Sequence, residues 1–385
     1  MKRKFTIKNI LITVAISILC CSSIAEEIPK TGEDIDNETI KIGVILAVTG
    51  DAAITNNHQY EVVKFAIDEV NVNGGILGKK IELLLIDNQS TGLGSKKAAL
   101  QAVDAGVVAV VGPAWSSHAL GAAPVLQEAR IPMVATSATN PNVTLIGDYI
   151  FRVSFIDSFQ GEVAANYAIK DLGAKSAVVL TNAGSRYSTG LAEFFMKNFQ
   201  ELGGSILWEG DYLASEIDFK KVLDKTKGLS PDVIYLPGYN KDSGFIIKQA
   251  RKMGISAPFL GGDGWGPDII KYGGDYISGN YYSESWHVDD PREESRSFIK
   301  RYENQYGRTK TTPLPYDAVM IIVDAIKRAN SIDPEKIQKA LAQTKDFAGT
   351  TGNITFDENG DPINKPVVIL KFENGKPSYV KTINP

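Results

Sequence analysis

The stretch that decides the fold is "VVAVVGPAWSSHALGAAPV", residues 107–125. An apolar run from Val107 to Val111 breaks at Gly112-Pro113 into Trp115, Ser116, Ser117 and His118, and a small-residue segment of helical character follows. A short apolar run bounded by turn residues and leading into a helix is the pattern of a strand buried on both faces of a parallel sheet. The hydroxyls after it then stand at the strand's carboxyl end, where open α/β sheets bind their ligands.

The same alternation continues in both directions. "TIKIGVIL" and "KKIELLLIDN" read as strands, followed by the helices "NHQYEVVKFAIDEVNVNGG" and "TGLGSKKAALQAVDAG". "HALGAAPVLQEAR" is the helix after the opening strand, and "IPMVATSAT" the next strand. From residue 160 a second series begins. The helices "QGEVAANYAIKDLGA", "GLAEFFMKNFQELGG", "DFKKVLDKTKGL" and "KDSGFIIKQARKMGI" alternate with the strands "SAVVLTNAG", "SILWEGDYL", "PDVIYLPGY" and "APFLGGDGW". Repeated βα units imply parallel sheets covered by helices, here two α/β lobes in series. A chain of 385 residues is also longer than one ordinary core requires. The last hundred residues are too few elements for a third lobe. The helices "SFIKRYENQYG" and "PYDAVMIIVDAIKRAN" and the hairpin-like run from Gly352 to Ile383 must add to the existing sheets, so the chain crosses between lobes more than once. Residues 39–155 with 285–350 are expected to form the first lobe, and 156–284 with 351–385 the second. A cleft between hinged lobes is a natural ligand trap.

The amino terminus reads as an export signal. Lys2, Arg3, Lys4 and Lys8 precede an apolar run from Ile10 to Leu19 and a Ser23-Ile24-Ala25 ending, and the run is short for a membrane span. Residues 1–25 are therefore expected to be removed, leaving an acidic lead-in over 26–38. The segment carries four basic and no acidic residues, so its loss takes the formal net charge from −4 to −8. Such a chain argues against a nucleic-acid partner. Both cysteines, Cys20 and Cys21, fall within the segment, so the exported chain can hold no disulfide. A lipidated Cys20 or Cys21 is the alternative; Leu19, in place of a small residue, argues against it.

Functional groups gather after the predicted strands. Trp115, Ser116, Ser117 and His118 follow one, and Thr136, Ser137, Ala138, Thr139 and Asn140 the next. Hydroxyls and free backbone N–H groups at a helix start suit an anion, most simply a carboxylate. In the second series, Tyr187 and Tyr239 follow strands, and Asp263 stands between Gly262 and Gly264 beside Trp265. A carboxylate there can approach an ammonium closely. Each residue also has an ordinary reading, as a helix cap, a turn or inter-lobe packing. Together they describe a site for a zwitterion. No G-x-S-x-G, H-E-x-x-H or P-loop pattern is present, and three histidines form no dense cluster, so catalysis, a metal site and a cofactor are not expected.

The segments "IKIGVILAVTGD", "AIDEVNVNGGILGKKIELLLIDNQST", "VVAVVGPAWSSHALGAAPVLQEARIPMVATSATNP" and "PYDAVMIIVDAIKRAN", in this order, resemble the branched-chain amino-acid-binding proteins, type I periplasmic solute-binding proteins of ABC importers. The resemblance runs from about Thr39 to the carboxyl terminus. It implies two Rossmann-like lobes joined by three hinge crossovers and closing on a ligand, with importer membrane subunits as partners and a monomeric, periplasmic receptor. By residue, it implies Ser116 for the α-carboxylate, main-chain and hydroxyl contacts from Ser137, Ala138 and Thr139, and Tyr187 over the cleft. Asp263 stands where the family usually has a Glu for the α-ammonium, and Tyr239 is a weaker match. The first loop, "VTGDAAITNNHQY", departs from the family: it lacks the Gly-Pro pair, and Ile54 or Thr55 stands where an aromatic ring often faces the ligand. With Trp115 and Trp265 in addition, the ligand is left open among amino acids, amides, short peptides and aromatic acids. A binding protein that feeds a sensor rather than an importer is the competing role.

Overall fold

The computed structural model describes residues 39–385; the expected signal peptide and lead-in, with Cys20 and Cys21, lie outside the described residues. The first sheet is built from β1 (Ile40–Leu46), β2 (Ile81–Asp87), β3 (Ala109–Val111), β4 (Met133–Ala135) and β5 (Ile150–Arg152). All five strands are parallel, in the order β2-β1-β3-β4-β5. Its helices are α1 (Ala53–Val72), α2 (Gly92–Asp104) and α3 (Ser116–Glu128).

The chain then crosses to α4 (Asp157–Lys170) and a second set: β6 (Ser176–Asn182), α5 (Arg186–Glu201), β7 (Ser205–Tyr212), α6 (Lys220–Leu229), β8 (Val233–Tyr235), α7 (Asn240–Lys252), β9 (Phe259–Gly261), the single turn α8 (Ile270–Gly273) and β10 (Tyr281–Glu284). The helices α9 (Glu293–Tyr306), α10 (Leu314–Ala329) and α11 (Pro334–Ala342) follow, with the small antiparallel pair β11 (Phe347–Gly349) and β12 (Gly352–Ile354). Finally β13 (Val367–Glu373) and β14 (Lys376–Ile383) form an antiparallel hairpin on the edge of the second sheet, whose order is β14-β13-β10-β9-β8-β6-β7.

Period-2 alternation explains why these runs form strands buried on both sides. Val44 and Val111 pack toward α1 and α10 with Val63, Ala66 and Ile322, while their neighbours Ile45 and Val110 pack toward α2 and α3 with Ala98, Ala119 and Leu126. The second sheet divides likewise, Val179 and Tyr235 packing with Phe195, and Val178 and Ile234 with Ile246. Each fully buried aliphatic side chain contributes about 1.5 to 3 kcal/mol. The helices α9 and α10 return to the first lobe, where Phe298, Tyr302 and Ile322 meet the two faces of α1. The chain thus passes between the lobes three times, after β5, after β10 and before β13.

Several boundaries differ from those read in the sequence. Ile354 and Phe356 belong to the core of the first lobe, so the last crossover begins beyond them and not at residue 351. Five helices begin two or more residues earlier than their apolar periodicity suggests: α1 at Ala53, α3 at Ser116, α4 at Asp157, α5 at Arg186 and α9 at Glu293. The first turns of α1, α3 and α5 face the cleft between the lobes, where they bring Thr55, Ser116 and Tyr187. The strands β5 and β10 and the helix α11 are additional elements.

Arg152, at the end of β5, ties the first lobe to the last crossover. Its buried guanidinium donates to Asp361 Oδ1 (2.5 Å), to the Ala138 carbonyl (2.6 Å) and to Thr144 Oγ1 (2.8 Å). This fixes the turn after β4.

Candidate functional site

The parallel strands of each sheet reverse their order once, between β1 and β3 in the first lobe and between β6 and β8 in the second. Ligand crevices open at the carboxyl ends of strands at such points. A cavity of about 180 Å³ lies there between the lobes. From the first lobe its wall holds Thr55, Trp115, Ser116 and Ser137; from the second, Tyr187, Tyr239, Asp263 and Trp265.

The first-lobe wall presents hydrogen-bond donors. Ser116 Oγ, on the first residue of α3, accepts from the Asn140 N–H (3.2 Å). Ser137 Oγ accepts from Gln59 Nε2 (3.0 Å), whose Oε1 in turn accepts from Thr136 Oγ1 (2.7 Å). Each serine oxygen thus accepts one hydrogen bond from the protein and keeps its own O–H to donate. The opening N–H groups of α3 have no acceptor within the helix and carry the positive end of its dipole. An anion fits this wall.

The second-lobe wall is acidic. Asp263 Oδ1 accepts from Gln160 Nε2 (2.9 Å), and Tyr187 Oη accepts from the Gly264 N–H (2.9 Å). Gly262 permits this packing, because a Cβ there would come within 2.4 Å of Tyr187 Oη and 2.6 Å of Gln160 Oε1. Burial pushes the Asp263 carboxyl up to about 6, against the stabilising hydrogen bonds of Gln160 and Tyr187. Glu284, at the end of β10, is pushed up to about 8 by burial and then by the Asp263 charge. Behind them Asp157, in the first turn of α4, is fully buried with neither carboxyl oxygen hydrogen-bonded, and burial followed by the Asp263 charge holds its titration well above the usual range.

Aromatic rings cross the cleft. Trp115 stacks on Tyr239 at 3.6 Å between centroids and 8° between planes, with His118 behind Trp115 (5.3 Å) and Tyr187 behind Tyr239 (5.2 Å). The Trp115–Tyr239 pair stands between the first cavity and a second, of about 420 Å³, toward Ser117, Asn182 and Lys241. The larger cavity lacks the facing arrays of Ser116 with Ser137 and of Asp263 with Glu284, so the smaller one is the candidate site. Burial pulls His118 down to about 4, leaving it a neutral ring near pH 7. Other contacts join the lobes: the Arg186 N–H donates to Ser117 Oγ (3.0 Å), Asn140 Nδ2 donates to the Arg186 carbonyl (2.8 Å), and Lys241 pairs with Asp51 (2.8 Å).

Two of the expected residues stand behind the wall. Ala138 and Thr139 are fully buried and do not line the cavity, because Arg152 draws the Ala138 carbonyl inward and the Thr139 carbonyl accepts from the Asp157 N–H (2.9 Å). The cavity also has walls that the sequence reading did not include: Gln59 and His58 on α1, Tyr282 and Glu284 on β10, Trp286, and the 308–312 loop. Gln59 and His58 fall inside the helix read from the sequence, and nothing local to them shows that this end of α1 faces the cleft. The residues of β10 were hidden because "YYSE" has no apolar run to mark a strand.

The model of one known family, described as periplasmic binding protein, matches residues 39–377. The chain belongs to this family. It is similar to the leucine-, isoleucine-, valine-, threonine- and alanine-binding protein of Pseudomonas aeruginosa, 29% identical over 84% of this chain and 87% of that one. Among solved structures, it superposes on the leucine-binding protein LivK of Thermotoga maritima with a TM-score of 0.86 (36% identity, 90% and 99% coverage). It also superposes on the branched-chain amino acid transporter substrate-binding protein LivJ of Streptococcus pneumoniae, in complex with isoleucine, with a TM-score of 0.85 (32%, 90% and 100%). The fold is accordingly that of a type I periplasmic binding protein, and the chain is a solute-binding protein of ABC transport.

Proposed function

We propose that this protein captures a free amino acid in the inter-lobe cavity and delivers it to an ABC importer. The observation that carries the reading is the opposition of the two walls: the hydroxyls of Ser116 and Ser137 and the start of α3 face an anion, and Asp263 faces a cation, across one small cavity. The α-carboxylate of an amino acid pairs with the first array and its α-ammonium with Asp263. Only the closed arrangement lets both lobes hold one molecule, so ligand shifts the population toward it. The amino-terminal basic and apolar segment supports export, the family supports a periplasmic location, and a single chain holds the whole site. Among the described residues no helix is long and apolar enough to cross a membrane.

The test is a thermal-shift and calorimetric screen of the mature chain against amino acids, amides and aromatic acids. A ligand at 100 times its dissociation constant stabilises by roughly 2.7 kcal/mol. Asp263→Ala is expected to cost the amino-acid ligand about 2 to 5 kcal/mol by leaving its ammonium buried and unpaired. An affinity loss below tenfold, or no amino acid among the hits, rejects the reading.

A further inference from the structure

Four carboxylates line the cavity. Asp268 pairs with Lys271 (2.8 Å) and His58 (3.5 Å), and Glu303 accepts from Thr309 Oγ1 (3.4 Å), which leaves Asp263 and Glu284. The parallel register of β9 and β10 pairs Leu260 with Tyr281 and Gly261 with Tyr282. β9 ends at Gly261 and Asp263 lies in the turn just beyond it, while Glu284 is the last residue of the adjacent β10, so both carboxylates stand at the carboxyl ends of neighbouring strands. Buried structural acids are normally matched by a base. Among the described residues no base pairs with either of them. Glu284 is nine-tenths buried, and both of its hydrogen bonds, from Ser285 N (2.7 Å) and Ser285 Oγ (3.0 Å), fall on Oε1. Its Oε2 has no partner and is not among the sealed, unpartnered atoms, so it opens into the cavity that Glu284 lines. The basic residues on the wall, Arg308 and Lys310, are exposed on the loop before α10, where Lys310 pairs with Glu61 (3.6 Å); no cation acts on Glu284 or Asp263. Around Glu284 the wall is aromatic, with Trp265, Tyr282 and Trp286. Aromatic faces beside a carboxylate favour a cation over an alkyl group.

We propose that the ligand is an amino acid with a cationic side chain, and that Glu284 determines this specificity by receiving the side-chain ammonium or guanidinium while Asp263 receives the α-ammonium. The inference rests on the amino-acid reading above. A neutral aliphatic amino acid brings one positive charge to two carboxyls, and leaves Glu284 buried without a partner. A ligand with two cationic groups matches both.

Calorimetry on the mature chain with L-lysine, L-ornithine, L-arginine and L-leucine, repeated on Glu284→Gln, tests this. The expected result is that at least one of the three basic amino acids binds tenfold or more tightly than leucine. Glu284→Gln is expected to lower that affinity at least tenfold and to leave any leucine binding within threefold. Leucine binding as tightly as every basic amino acid overturns the proposal, as does a Glu284→Gln chain that keeps its full affinity for the basic ligand. The comparison of ligands on the unsubstituted chain decides even if the variant folds poorly. Absence of binding by all four, with no other amino acid binding either, overturns the amino-acid reading itself. Binding of leucine alone leaves that reading standing and removes only this one.

Discussion

Asp263 and Glu284 set the response of the site to pH. Burial pushes Asp263 up to about 6, and burial followed by the Asp263 charge pushes Glu284 up to about 8, while in the unfolded chain such groups titrate near 4. The native state therefore holds protons that the unfolded chain has released, and ligand-free stability falls as pH rises from about 4 through about 8. The Tm of the ligand-free protein is expected to decline over pH 5 to 8, with a shallower slope in the Asp263→Asn/Glu284→Gln double variant. An identical slope in the two proteins contradicts the assignment. Amino-acid affinity runs the opposite way: it weakens as pH drops below about 6, because a protonated Asp263 no longer attracts an ammonium. At this scale the sequence was informative where a residue type had few other uses. Asp263 between two glycines, Ser116 at a helix start and Tyr187 after a strand were all legible, and all line the cavity. Glu284 was not, because its meaning depends on Asp263 from another strand.

Elements carry the site through close approaches that only particular backbones allow. Gly262→Ala would drive a methyl group into Tyr187 Oη and Gln160 Oε1, the two groups that support Asp263. It is expected to lower amino-acid affinity at least tenfold while far-UV circular dichroism stays unchanged. Gly228→Ala, on α6, where a Cβ meets nothing within 4 Å, provides the control and leaves binding unaltered. Equal effects of the two substitutions would remove the role given to Gly262. Strands such as β1 and β6 were legible because continuous apolar runs have few other uses in a soluble chain. The short β5 and β10 were not, since three or four residues with Arg152, Ser283 or Glu284 among them look like loop. The first turns of α1, α3 and α5 were hidden too, because residues facing the cleft, such as Thr55, Ser116 and Tyr187, do not follow the core-facing apolar periodicity that marks a helix.

At the scale of the whole molecule, the structure is a closed form, with Trp115 of the first lobe stacked on Tyr239 of the second. An aromatic pair contributes roughly 0.5 to 1.5 kcal/mol beyond its buried area. Trp115→Ala is therefore expected to open the ligand-free population and to weaken ligand by about that amount, read as a larger radius of gyration by small-angle X-ray scattering and as a raised Kd. No change in either would show that the stack does not hold the lobes. The Lys241–Asp51 pair is exposed and near-neutral in energy, so Lys241→Ala should alter closure little. By itself, the sequence determined the two α/β lobes, their strand-end hydroxyls and the acid opposite them, because burial pattern and helix starts are local properties of the chain. Only the tertiary structure decided which hydroxyls reach the cavity. Arg152 and Asp157, separated from them in sequence, turn Ala138 and Thr139 inward while Ser116 and Ser137 stay at the wall. It also decided the pairing of Asp263 with Glu284, since charge balance in a buried site is a sum over groups that meet only when the sheet has formed.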